Sequence, residues 1–299
     1  MSQNKEQLLA RLSVRMPYEE AQKTYRDLTH QNIGTMSVHR AVQRLGKKIL
    51  SPAAGKQKLN RGLQGKCHES GDGTMIHIRG EGWKEAKVGA CYEVDEEGRG
   101  QNARYIATLG DRKEFGQKLY ALAGNPSLEQ TGRSAFISDG AEWLSELQQE
   151  HFPQATAIVD FWHASEYIWK VARGFYGEGT PKAKAWADGR IKLLRKGKQQ
   201  KLKRSLSHLR AKNQDERETL AGTRRYFRNH GHKMDYPKYE SLGYHIGSGV
   251  IEGACKHVIG DRMKRSGMRW SRPGAENLLK LRAAHLNNEW DQVLLSQLN

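Results

Sequence analysis

The feature that most constrains this chain is a switch of hydrophobic period at Gly73. The segments T-M-I-H-I-R (74–79), K-V-G-A-C-Y-E-V (87–94) and A-R-Y-I-A-T-L (103–109) alternate as half-buried strands do. Gly82 and D-E-E-G-R-G (95–100) supply turns between them, so the three predict an antiparallel meander. A helix is expected at about 113–123. Then S-A-F-I-S ends in Asp139 and is followed by a helix bearing Trp143, Leu144 and Leu147. A-T-A-I-V ends in Asp160 and is followed by a helix bearing Ala164, Tyr167, Ile168 and Val171. A meander continued by β-α-β-α predicts an α/β domain built on a mixed sheet, here assigned to 67–175.

The flanks carry other patterns. Residues 1–50 read as helices, with Tyr18, Ala21, Tyr25 and Leu28 on one face. A turn containing Gly34 leads to a second helix capped by Ser37 and closed by Gly46. That outline is either a helix-turn-helix with His39, Arg40, Gln43 and Arg44 facing DNA, or an ordinary helical hairpin. Residues 51–66 are small, basic and periodless, as linkers are. Between Lys182 and Lys233 stand 17 Lys/Arg against 4 Asp/Glu, with no strand pattern. We read 176–240 as a basic, all-helical insertion in the α/β domain, whose second part is 241–299. Its charges form either a solvated face or a surface that tracks phosphates. A last helix opens at Pro273 and buries Ala275, Leu278, Leu279, Ala283 and Leu286.

Most of the net charge of +17 on 299 residues comes from that insertion. Such a balance fits a nucleic-acid partner and disfavours a small-molecule enzyme, although ribosomal, membrane-surface and polyanion-storage proteins share it. Cys67, Cys91 and Cys255 are scattered and lack a C-x-x-C, which supports neither a disulfide framework nor a cysteine zinc site. No run is long and apolar enough for a membrane span, and M-S-Q-N-K-E-Q is no signal peptide. A cytoplasmic, nucleoid-associated location is expected. No Walker A loop is present, so no nucleotide cofactor is implied.

Four acids stand out by position. Asp139 and Asp160 follow strands of the buried type, where open α/β sheets place their sites. Asp72 lies just ahead of the first alternating segment. Glu252 follows Ser248, a plausible N-cap, on a helix with Ile251, Ala254, Cys255 and Val258 inside. Each has a plainer reading. D-G is a turn signal, Asp after a strand caps the next helix, and Glu252 stands i, i+4 from Lys256 as a surface ion pair would. Beyond Glu252 the chain is basic, with Lys256, Arg262, Lys264, Arg265, Arg269 and Arg272 offered to a polyanion.

Taken together, D-G-T (72–74), S-D-G-A-E-W-L (138–144), D-F-W-H (160–163), G-S-G-V-I-E-G-A-C-K-H (247–257) and R-M-K-R-S-G-M-R-W-S (262–271) resemble the DDE transposases of prokaryotic insertion sequences. The likeness is to the ISKra group of the Mutator-like superfamily and covers about residues 15 to 291. It implies a ribonuclease-H-like fold in which Asp72, Asp139 and Glu252 hold two Mg²⁺ or Mn²⁺ ions. The separations are 67 and 113 residues, the longer one accommodating the insertion. Asp160 and His163 match the family's D-x-x-H, which places them beside the active site. The run K-C-H-E-S-G before Asp72 is more polar than the strand usual in the family, and Glu69 is the nearest substitute acid. The resemblance implies cleavage of element ends and strand transfer into target DNA, by a homo-oligomer on double-stranded DNA. The alternatives are a truncated, catalytically inactive, transposase-derived DNA-binding protein and a ribonuclease-H-like nuclease without strand transfer.

Overall fold

A computed structural model describes residues 2–49, 66–95, 97–124 and 134–290. Its centre is a five-stranded mixed sheet in the order β3-β2-β1-β4-β5. Strands β1 (Lys66–Ile78), β2 (Gly82–Val94) and β3 (Gly100–Thr108) form the antiparallel meander. Strands β4 (Ser134–Ser138) and β5 (Thr156–Val159) run parallel to β1 on its other side. The α/β expectation holds at this level. Gly80 and Gly82, at φ +77° and +73°, make the β1–β2 turn in a conformation that side chains disfavour.

β1 begins earlier than its alternation suggests. Lys66, assigned to the linker, is its first residue, and Asp72 lies within the strand rather than ahead of it. The polar run is a strand because neighbours cover it on both faces: Cys67, His68, Glu69 and Ser70 are all buried. Alternation is a sign of a half-buried strand and fades where both faces are covered. The rest of the linker, 51–65, lies outside the described residues.

Helices cover both faces. On one side α4 (Arg112–Leu122) and α5 (Glu142–His151) pack Phe115, Leu119, Leu144 and Leu147 against Cys91, Ile106 and Phe136. The fit is close at Gly71, where a Cβ would meet Leu144 at 2.9 Å. On the other side lie α11 (Gly249–Ala254), a π-helical stretch (Cys255–Gly260), α12 (Asp261–Met263) and α13 (Arg272–Leu286). Their Ile251, Ala254, Val258, Leu278 and Leu279 share a core with Ile76, Val88 and Ala90 of the sheet.

The basic segment is a run of helices joined by short turns, with no strand among its described residues: α7 (Pro181–Arg195), α8 (Gln199–Ser207), α9 (Gln214–His230) and α10 (Tyr236–Ser241). It packs on α6 (Phe161–Tyr176) through Trp186, Leu194, Leu202, Phe227 and Tyr236, in one core with Ile137 and Ile158.

The N-terminal segment has three helices, α1 (Gln3–Ser13), α2 (Tyr18–Thr29) and α3 (Thr35–Lys48). Gly34, not Ser37, occupies the N-cap of α3, and Gly46 lies inside that helix rather than after it. Gly46 is buried because Asn277 of α13 crosses there, leaving 2.5 Å to where a Cβ would stand. Leu28, expected on the buried face, is 64% exposed. Ala10, Val14, Val42 and Leu45 belong to the main core, so these helices are packed onto the α/β body.

Candidate active site

The strand register brings the first two acids together. In the β1–β4 ladder Cys67 faces Ser134 and Ser70 faces Ile137, a constant offset of 67 residues. Continued by two residues, that register sets Asp72 opposite Asp139, just past the end of β4. Parallel neighbours in register project to the same face of the sheet. Electrostatics agree with this placement. Burial raises the Asp72 carboxyl above the usual carboxylate range, the Cys255 thiol and Gly73 amide oppose that, and the nearby Asp139 raises it further.

Each acid is held by its own local contacts. Asp72 Oδ1 accepts from its neighbour's amide, Gly73 N, at 2.7 Å, and Oδ2 accepts from Cys255 Sγ at 3.1 Å. Asp139 Oδ1 accepts from Ala141 N at 2.8 Å across the Gly140 turn, as an acid after a strand commonly does. The third acid approaches from the helical side. Glu252 is exposed, and its Oε1 accepts from Ser248 Oγ at 2.9 Å. Cys255, one turn further on, spans the two sides: it bonds Asp72, and its thiol is pushed up by burial first, then by Asp72, with a smaller push from Glu252.

The plainer readings of Glu252 and Asp160 are resolved differently. No Glu252–Lys256 ion pair forms among the described residues. The π-helical stretch starts at Cys255 and changes the angular step that would align i with i+4. Ser248 does stand at the N-cap, but its hydroxyl bonds Glu252 rather than a backbone amide. Asp160 is fully buried and acts structurally: one oxygen caps α6 through the amide of His163, and the other accepts the amide of Ser248. It thereby fastens the end of β5 to the turn that leads into Glu252. The His163 imidazole takes no part in that cap and remains half-buried.

The proposed DNA contacts separate into three kinds. Arg262, expected at the surface, is buried. It is 1% exposed, donates Nε to Ser13 O at 2.7 Å, and lies 4.9 Å and 5.2 Å over the rings of Tyr18 and Trp270. Burial lowers its guanidinium to about 10. On α3, Gln43 accepts from Asn277 at 2.7 Å, His39 packs edge-on to Tyr18 at 5.5 Å, and Arg44 pairs with Glu6 at 2.6 Å. Arg40 alone of that set is exposed without a partner among the described residues. The face read as a recognition surface is largely spent on α13 and α1. Lys256, Lys264, Arg265 and Arg269 are exposed, with Lys264 bonded to Thr74 at 2.8 Å and Arg265 3.6 Å from Glu20.

Two contributors escaped sequence reasoning. Tyr226 and His230, from α9 of the insertion, sit against the Asp139–Gly140 turn. Nothing in a run read for its charge marks them. Cys255 had a visible signal, three residues after Glu252 on the same helix, but its partner across the sheet had none.

The donor chemistry suits a hard divalent cation, since all three acids offer oxygen and Asp72 and Asp139 repel each other. As the side chains stand, no three His, Cys, Asp or Glu of the described residues form a group that could hold a metal ion. Asp72 and Asp139 make the converging pair, and the Glu252 carboxylate is engaged by Ser248. No helix among the described residues is long and apolar enough to cross a membrane. No protein-family model matches the chain, and no curated protein matches it either.

Proposed function

We propose that this chain is a DNA transposase of the DDE type, of the ISKra kind it resembles, and that it acts on double-stranded DNA through a ribonuclease-H-like domain. The observation that carries the reading is the β1–β4 register. The 67 residues between the acids named by the resemblance are also the offset of the strand pairing, which sets Asp72 opposite Asp139. The mixed sheet and the helical insertion before Glu252 are what such a domain requires.

Asp72 and Asp139 would hold a divalent cation, with Glu252 turning in from α11. When bound, Mg²⁺ or Mn²⁺ supplies Lewis-acid activation of a water or DNA 3′-hydroxyl and stabilises the leaving oxygen. The chain's own part is to position these carboxylates. Asp72 is oriented by Gly73 and Cys255, Asp139 by Ala141, and Glu252 by Ser248. Lys192, Lys196, Lys198, Lys201, Arg225 and Arg228 of the insertion are exposed and lack ion pairs among the described residues. They supply a phosphate-tracking surface whose affinity falls steeply with salt.

One observation favours a second reading, a DNA-binding protein without catalysis: Glu252 is bonded to Ser248 rather than gathered with the aspartates. A Mg²⁺-dependent cleavage and joining assay on the flanking genomic ends separates the two. Cleavage with joining supports the transposase, cleavage alone a nuclease, and salt-sensitive binding alone the non-catalytic protein.

A further inference from the structure

The insertion reaches into the acid site. Tyr226 of α9 is buried and donates its hydroxyl to the carbonyl of Asp139 at 2.9 Å. Gly140, next in sequence, has φ +96°, and a Cβ there would stand 3.2 Å from the Tyr226 ring and 3.5 Å from the His230 ring. His230 and His163 pack on the same tyrosine, with ring centroids 4.9 Å and 6.2 Å away. Tyr167 stacks on it at 3.9 Å and 12°, which fixes its plane.

Both imidazoles are half-buried, and neither has a hydrogen-bond partner among the described residues. An imidazole presents at least one N–H donor whatever its protonation state. The nearest carboxylate, Asp139, already has one oxygen engaged by the amide of Ala141. Lys233, whose Nζ bonds Ser145 Oγ at 3.1 Å, adds a cation near His230. A group that brings several acceptor oxygens and a negative charge would satisfy these donors, and a DNA phosphodiester does both.

We propose that His230 donates a hydrogen bond to a DNA phosphate beside Asp139, so that the helical insertion completes the site. The inference rests on the reading of the acids as a phosphodiester site. It assigns the insertion a role in placing the strand, beyond general attraction to the backbone.

The test is fluorescence anisotropy with DNA duplexes that carry a single neutral methylphosphonate at successive positions. The parent should show one linkage whose neutralisation weakens binding about tenfold, the scale of a lost charge-assisted hydrogen bond. In His230→Ala that linkage should matter by less than about twofold. His230→Asn, which keeps a donor, should recover part of the discrimination; His230→Leu, which has bulk but no donor, replaces the alanine variant if thermal melting shows that variant to be unfolded. The same profile in parent and variant would overturn the inference. Binding is read without cleavage, so a parent that shows the sensitive linkage but never cuts with Mg²⁺ overturns the transposase reading alone. A parent that binds no duplex overturns both.

Discussion

The strand-borne acids and the helix-borne acid are held by different means. Asp72 and Asp139 are brought together by the β1–β4 register, which pairs as far as Ser70 and Ile137 and directs the chain toward their opposition two residues beyond. Glu252 depends on a chain of side chains and helix ends. Ser248 bonds its carboxylate, Asp160 holds the amide of Ser248, and Cys255 ties the following turn to Asp72. Backbone pairing is cooperative and stiff, whereas a helix terminus resting on a few polar contacts shifts at a cost of about one hydrogen bond each. The strand side is the fixed half of the site and the helix side the adjustable half.

The largest expected effect tests the fixed half. If the proposed function holds, Asp72→Asn and Asp139→Asn should each lower metal-dependent cleavage by about a thousandfold or more, since each removes a charge from the proposed metal site. Tm should stay within a few degrees of the parent, because the register persists. Stabilisation of the protein by MgCl₂ in thermal melts should vanish in both and survive in part in Glu252→Gln. Equal loss in all three would erase the distinction between the halves.

Arg262→Ala addresses what supports the adjustable half. Arg262 joins α12 to Ser13 and lies between two aromatic rings, so its loss should cost about 3 kcal/mol of stability in urea unfolding. A change under about 0.5 kcal/mol would place it with the ordinary surface arginines.

The pH dependence of stability probes β1 beneath the fixed half. Burial lowers His68 to about 3 and raises Glu69 to about 8. The unfolded chain binds the extra proton at His68 between about 3 and 6.5, so that term makes stability rise with pH there. The native state keeps the extra proton at Glu69 between about 4.5 and 8, so that term makes stability fall with pH there. The contributions of this pair cancel between about 4.5 and 6.5, and from 6.5 to 8 Glu69 contributes a decline of about 1.4 kcal/mol per unit. Glu69→Gln should remove the upper decline, as urea unfolding at pH 6 and pH 8 would reveal. Equal slopes in parent and variant would show that Glu69 ionises freely.

The smallest effect concerns the adjustable half itself. Ser248→Ala releases Glu252 from one hydrogen bond, worth about 1 kcal/mol. Cleavage should change by about fivefold or less, with a shifted Mg²⁺ dependence. A thousandfold loss would mean that Glu252 is as rigidly placed as the aspartates.

The sequence by itself determined the class of sheet, the strands that end in Asp139 and Asp160, the helical character of the basic segment, and the identity of the acids worth examining. Those features are local: alternation, turn residues and an acid after a buried strand report on a few neighbouring residues. Tertiary structure alone decided the remainder. The strand over 66–71 escaped detection because both its faces are covered, which removes alternation. Arg262 and Lys264 look alike in a basic run, yet one is enclosed by Tyr18, Trp270 and Ser13 and the other stands in solvent. Gln43 and His39 show a helical face without showing that α13 lies across it. Cys255 with Asp72, and Tyr226 with Asp139, meet over separations of 183 and 87 residues. Periodicity carries no information at that range; the packing of helices on the sheet sets those meetings.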